Sequence, residues 1–335
     1  MRIRVVSSAS VLLLCGLAGI ACGHGPAFSD PAKAGPDFAV QGEYVGKMKI
    51  SGEEKPVGVQ VMALGKGEFE ATLFHGGLPG DGWSHGGKQE KAKGKTEGDK
   101  TDFAGKEWKA EIQGDTLAIS DTSGDRIGEL KKVLRKSPTL GAAAPAGAVV
   151  LFDGTSADAW RDGKIIEGNL LDVGPTSKQS FTDFTLHVEF RCTYMPEDRG
   201  QGRGNSGVYL QNRYEVQVLD SFGAVGDHGD CGALYSIAPE SVNMSFPPLS
   251  WQTYDIDFTA ARCDENGKKT ANARVTVKHN GVVVHDNLEL PHNTPGQIGN
   301  ETPAKGETVL SGPLYLQDHG GDPEAFRNIW VVEKK

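Results

Sequence analysis

Residues 205–220 read NSGVYLQNRYEVQVLD, and the periodicity of this stretch decides how the rest of the chain is read. Tyr214, Val216 and Val218 alternate with Glu215 and Gln217, the period of a strand with one apolar and one polar side. Glu215 and Gln217 therefore point the same way. Just upstream, Val208 and Leu210 alternate with Gly207, Tyr209 and Gln211, and Asn212-Arg213 is short enough to turn between the two segments. The pattern predicts an antiparallel pair with one face for a core and one face carrying amides, a phenol and a carboxylate.

Working outward, the same alternation recurs along the chain. A strand begins the stretch at Val149, and further candidate strands lie at 184–191, 233–236, 252–259, 273–279, 282–287, 312–319 and 328–332. The segment VKHNGVVVHD (277–286), with its Asn280-Gly281 turn, is the strongest hairpin signal. No amphipathic helix of ordinary length interrupts them, so residues 149–335 read as a two-sheet sandwich of the jelly-roll kind. Residues 37–135 show about six further short alternations and read as a separate small antiparallel β domain. The Gly/Lys-rich stretch 76–105 inside it is expected to be a mobile surface loop. His75, Trp83 and His85 are either a binding lip there or ordinary loop residues with one packed aromatic. KSPTLGAAAPAGA (136–148) reads as a linker that nothing in its composition would bury.

The chain of 335 residues is long enough for two domains, and 38% hydrophobic with 24% charged residues is ordinary for a globular protein. A net charge of -9 excludes nucleic acid as an expected partner, because phosphate binding needs a basic surface. At the start, Arg2 and Arg4 precede an apolar run to Ile20 and then Ala21-Cys22, the anatomy of an export signal over 1–22. Cys22 resembles the lipidated cysteine of a bacterial lipoprotein, which would anchor the protein to a membrane of the cell envelope, with 23–36 as a Pro/Gly/Ala-rich tether. Beyond Cys15 and Cys22, three cysteines remain: Cys192, Cys231 and Cys263. At most one disulfide forms among them, and the pairing stays open.

Four segments in order carry a family likeness: LFDGTSADAW (151–160), NSGVYLQNRYEVQVLDS (205–221), GALY (232–235) and LYLQDHGGDPEAFRNIWV (314–331). Together they resemble the 3-keto-disaccharide hydrolase family. The resemblance implies a concanavalin-like jelly roll, a carbohydrate ligand, and cleavage of 3-keto glycosides by hydrolysis or elimination outside the cytoplasm. The stretches at 236–250 and 263–272 depart from the family pattern and bear on substrate choice.

Several strands carry polar groups opposite their apolar face: His187, Glu189 and Arg191; Tyr209 and Gln211; Glu215 and Gln217; Asp255 and Asp257; Tyr315, Gln317 and His319. They line either a groove or a solvated outer face. Glu215, Gln217 and Asp220 also stand where laminarinase-type hydrolases carry E-x-D-x-x-E, but the changed residues argue against a two-carboxylate mechanism. A 3-keto sugar needs only a base for the proton on C2, a donor for the enolate oxygen and an acid for the leaving oxygen. Glu215 is the candidate base, His319 the acid or enolate donor, and Arg327 the anion stabiliser. Asn205, Tyr209, Gln211, Gln217, Asp220, Tyr235 and Gln317 are candidate substrate contacts. Asp220, Asp230 and Asp318 are candidates to hold a divalent cation such as calcium. The rival readings are a carbohydrate-binding module without catalysis, and an N-terminal domain that docks onto a surface complex.

Overall fold

The computed structural model describes residues 25–295, 308–320 and 323–334; the expected export segment and Cys22 lie outside them. Among the described residues, strands Gly42–Ile50, Glu53–Gly65, Glu68–His75, Gln89–Glu97, Lys100–Gly105, Lys109–Gln113, Thr116–Ser120 and Arg126–Val133 each pair with the next, and the last closes on the first. The small β domain is thus an up-and-down barrel. Closure leaves no unpaired sheet edge. Its interior is filled by Tyr44, Val59, Val61, Phe69, Leu73, Phe103, Ile112, Leu117, Ile119 and Leu130.

The expected loop over 76–105 is corrected, because two of the barrel strands lie inside it. In Gln89–Glu97 the small residues Ala92, Gly94 and Thr96 alternate with the exposed lysines 91, 93 and 95, so no apolar period marks the strand. Gly94 is needed there: a Cβ at that position would run into the ring of Phe103. The suggested lip dissolves as well. His75 bonds Glu90 at 2.8 Å, Trp83 packs edge-on against Phe74 with ring centroids 5.0 Å apart, and His85 is exposed.

The second domain is a sandwich of two antiparallel sheets. One runs in the order Ile165–Ile166, Leu170–Leu171, Ala325–Glu333, Phe184–Arg191, Gln252–Thr259, Ala273–His279, Val282–Leu290, with Val149–Phe152 also paired to Ala325–Glu333. The other runs Trp160–Arg161, Thr176–Phe181, Gly312–Leu316, Asn205–Leu210, Tyr214–Leu219. Between them, Phe184, Val188, Phe190, Ile256 and Phe258 meet Val208, Leu210, Val216, Val218 and Leu316 in one apolar core. Burying such side chains is worth about 1.5–3 kcal/mol each, which is why the period of 205–220 fixes the strand pair so firmly. Cys192, Cys231 and Cys263 are free thiols buried in this domain.

Within 136–148, expected as an unburied spacer, residues 137–142 instead form a strap across the outer face of the larger sheet, while 143–147 are exposed. Ser137 bonds Thr253 at 2.6 Å, Thr139 donates to Asp255 at 2.6 Å, and the Gly141 N–H donates to Glu189. The Ala142 carbonyl accepts from Asn328 at 3.0 Å. Beneath the strap lie His187, which bonds Asp255 at 2.7 Å and stacks on Trp330, and Glu189, which accepts from Arg327 at 2.7 Å. Burial alone would push the Glu189 carboxyl up, but the bonds from His187, Asn328, Gly141 and Arg327 outweigh it and hold it near about 2. Glu189 is therefore not a solvated strand carboxylate. Small, uncharged residues made the strap read as a linker, yet its backbone and hydroxyl groups are what satisfy the polar side chains under it.

Arg135 ties the two domains from the other end of the strap: its guanidinium grips buried Glu43, donates to the Pro79 carbonyl at 2.8 Å and lies over the Phe246 ring. Replacing Glu189 by Ala should lower unfolding free energy by about 2–4 kcal/mol, since it leaves His187 and Arg327 without their shared partner. The wild-type strap should resist limited proteolysis between 137 and 142, and the variant should be cut there. Equal cutting of both proteins would contradict the account. Because the native carboxyl titrates below its usual value, this contribution is present above about pH 4.5 and fades as pH falls toward about 2.

Candidate active site

The site is built on the strand pair Asn205–Leu210 and Tyr214–Leu219, joined by Gln211–Arg213 with Gln211 and Asn212 in the left-handed region. Register places Tyr209 opposite Glu215 and Gly207 opposite Gln217, so all four share the face turned away from the core. Here the Tyr209 hydroxyl donates to Glu215 Oε2 at 2.6 Å, and Gln317 Nε2 donates to the Tyr209 oxygen at 3.2 Å. The Glu215 N–H is held by Thr294 Oγ1 at 3.0 Å. A Cβ at residue 207 would overlap the Glu215 carboxylate, which gives the glycine of the NSG motif a steric reason independent of its backbone angle.

These groups line a cavity of about 170 Å³ together with Gln201, Asn205, Gln217, Tyr235, Thr294, Pro295, Gln317 and His319. Burial pushes the Glu215 carboxyl up, the Tyr209 bond pulls it back, and the balance leaves it at about 7. Such a carboxyl is half ionised at neutral pH and can take up a proton there, which a solvated glutamate does poorly. A larger open groove of about 690 Å³ crosses the outside of the barrel along Lys93, Lys95, Asp102, Lys109, Glu111 and Arg126. It brings together no comparable buried acid or base.

The cavity assembles Glu215, His319, Asn205, Tyr209, Gln217, Tyr235 and Gln317 from the sequence-predicted set. Three residues are corrected. Arg327 lies on the opposite sheet, bonded to Glu189 and with its guanidinium 3.9 Å from the Trp251 ring centroid. Gln211 is buried and donates to the Phe181 and Leu310 carbonyls, locking the turn rather than facing the cavity. Asp220 is buried and paired with Arg203 at 2.9 Å. Among the described residues no three His, Cys, Asp or Glu side chains are grouped to hold a metal ion. His187, Glu189 and Asp255 belong to the strap's network on the other sheet. Sequence reasoning missed Gln201, Thr294 and Pro295, which sit in a short 3-10 turn and a loop where no period marks a face.

The fold and site define a β-sandwich protein with a buried carboxylate facing an amide-lined cavity. Residues 147–332 match the 3-keto-alpha-glucoside-1,2-lyase-like domain, and the chain belongs to that family. Two solved structures of candidate glycosyl hydrolases from Parabacteroides distasonis ATCC 8503 are similar to it. One is 36% identical, covers 57% of this chain and 85% of its own, with a TM-score of 0.48. The other is 19% identical, covers 56% and 99%, with a TM-score of 0.38. No curated protein matches the chain.

Glu215 should titrate near pH 7 by carboxyl-labelled carbon NMR or infrared difference spectroscopy. Tyr209→Phe removes the one bond that favours the ionised form, so the midpoint should move higher still. A wild-type midpoint near the ordinary value of about 4.3 would contradict the geometry.

Proposed function

We propose that the protein is an exported enzyme that cleaves the glycosidic bond of a 3-keto glycoside, with Glu215 as the base that removes the proton on C2. The observation that carries this reading is the Glu215 carboxyl itself: buried beside Tyr209, raised to about 7, and facing a cavity rather than bulk water. Near-neutral basicity suits removal of a carbon-bound proton that the neighbouring ketone has acidified. A second carboxylate in glycosidase geometry is not required, and among the described residues Glu215 is the only Asp or Glu lining the cavity.

In this mechanism the C2–H electrons move toward C3 and place negative charge on the ketone oxygen. The enolate then collapses: the C3 carbonyl reforms, a C1–C2 double bond forms, and the bond from C1 to the aglycone oxygen breaks. That oxygen takes up a proton. His319 is the proposed donor, either to the enolate or to the leaving oxygen, because it lines the cavity with Glu215. The family description, a 1,2-lyase, supports elimination across C1 and C2 over direct hydrolysis. Water added later to the double bond would give the hydrolysed sugar. Arg327 takes no part, since it is committed to Glu189 on the other sheet. A cavity of about 170 Å³ is smaller than the roughly 300–1,000 Å³ of drug-sized sites, which suits one sugar ring with the aglycone outside.

Export and attachment through lipidated Cys22 belong to the same proposal, on the charged start, apolar run and Ala-Cys junction. Cys22→Ala should release the protein from the membrane fraction. Recovery of the wild type in the soluble fraction, with no lipid mass on its N-terminal peptide, would remove the anchor from the account.

Glu215→Gln keeps shape and packing but cannot accept the proton, and should cut turnover of a 3-keto glucoside by about 10²- to 10⁴-fold. In the wild type, kcat/KM should fall as pH drops through about 7, because the base must be ionised. Arg327→Ala should leave kcat/KM within a few-fold of wild type. Undiminished turnover by Glu215→Gln, or a wild type that binds unoxidised glycans and turns nothing over, would favour a binding module instead.

A further inference from the structure

We infer that Gln201 is a positioning residue: its amide turns the side-chain oxygens of Asn205 and Gln217 away from their own donors, and with Gln317 these form an array of acceptors that reads sugar hydroxyl groups. The inference rests on the carbohydrate reading of the Glu215 cavity and names the part of the ligand that the cavity selects.

Asn205 Nδ2 donates to the Gln201 carbonyl at 2.9 Å and to Gln201 Oε1 at 3.0 Å. Gln217 Nε2 donates to the same Gln201 Oε1 at 3.0 Å and to the Gly229 carbonyl at 3.2 Å. Gln201 Nε2 in turn donates to Gly229 O at 2.7 Å. The four contacts made by Asn205 and Gln217 need their nitrogens, because the partners, Gln201 Oε1 and the Gln201 and Gly229 carbonyls, are acceptors. Turning either amide over would set oxygen against oxygen, so the network fixes both orientations. The third amide, Gln317, spends its nitrogen on the Tyr209 oxygen.

What remains are Asn205 Oδ1, Gln217 Oε1 and Gln317 Oε1, all buried and all without a hydrogen-bond partner among the described residues. Their residues line one small cavity. A buried acceptor left unsatisfied is costly, and three around one cavity mark a place where a ligand supplies the donors. Ring hydroxyls donate; a ketone oxygen or a carboxylate accepts only and is rejected by such an array. The 3-keto oxygen is therefore directed away from these three amides, and the hydroxyls that keep their hydrogen are the groups recognised.

Methyl 3-keto-α-glucoside and its deoxyfluoro analogues, in which fluorine replaces a hydroxyl and cannot donate, test the array on the full-length protein. Gln201→Ala should raise KM about tenfold, the worth of one to two neutral hydrogen bonds, with kcat within about twofold. Its melting temperature should be unchanged, since Gln201 is exposed. Gln201→Glu keeps an acceptor for both amide donors and should recover part of the loss. At least one deoxyfluoro analogue should be penalised by the wild type and no longer by Gln201→Ala. Normal turnover with KM unmoved by Gln201→Ala overturns the array while the cleavage reading stands. Conversely, Gln201-dependent binding of unoxidised methyl α-glucoside without any turnover of keto sugars keeps the array and sinks cleavage. Failure of every sugar to bind overturns it, as does calcium alone raising the melting temperature of wild type but not of Gln201→Ala, because the oxygens would then be cation ligands.

Discussion

The hydrogen bond from Tyr209 to Glu215 is possible only because two strands, each with one face in the core, are held in a single register. Slipping either strand by one residue would turn Glu215 into the apolar interior and Val216 toward the cavity. Core packing by Val208, Leu210, Val216 and Val218 thus sets the chemistry on the far side. Gly207 adds the remaining condition, clearing the space that the carboxylate occupies. Held by one phenol, Glu215 owes its raised carboxyl pKa to burial rather than to a neighbouring charge, which is what the proposed base requires.

The opposite sheet solves a different problem. Its outer face carries His187, Glu189, Asp255 and Arg327, groups that would be solvated on an open sheet and costly to bury alone. The strap supplies backbone and hydroxyl partners and so turns a polar face into an interface. Arg135 extends that interface to the barrel through Glu43 and Pro79 while lying over Phe246 of the sandwich. Residues 135–142 therefore bond the barrel at one end and the sandwich at the other, beside apolar packing of Phe74 and Trp83 into the sandwich core.

Much of this was legible in the residues because strand period and burial speak directly to each other. The run 205–220 gave the pair, its faces and the Glu215 to Gln217 alignment, and the motifs at 232–235 and 314–319 brought Tyr235, Gln317 and His319 to the same cavity. Other parts carry no such signal. The barrel strand 89–97 turns Ala92, Gly94 and Thr96 inward, so its period is one of size and not of hydropathy. Arg327 precedes Asn328, which takes a left-handed backbone angle, and a register irregularity falls between His187 and Glu189 on the strand that Arg327 faces; simple alternation could not assign its side. Gln201 and Thr294 act from loops, where position depends on the whole fold.

The central claim is that the C2–H bond breaks in the step that Glu215 catalyses. Its most direct test is the primary kinetic isotope effect on kcat/KM with a 3-keto glucoside carrying deuterium at C2, measured above and below pH 7. The account predicts a clear primary effect for the wild type, with deuterium lost to solvent from the product. Equal rates for the two substrates, with deuterium fully retained at C2, would contradict it and point to direct cleavage at C1.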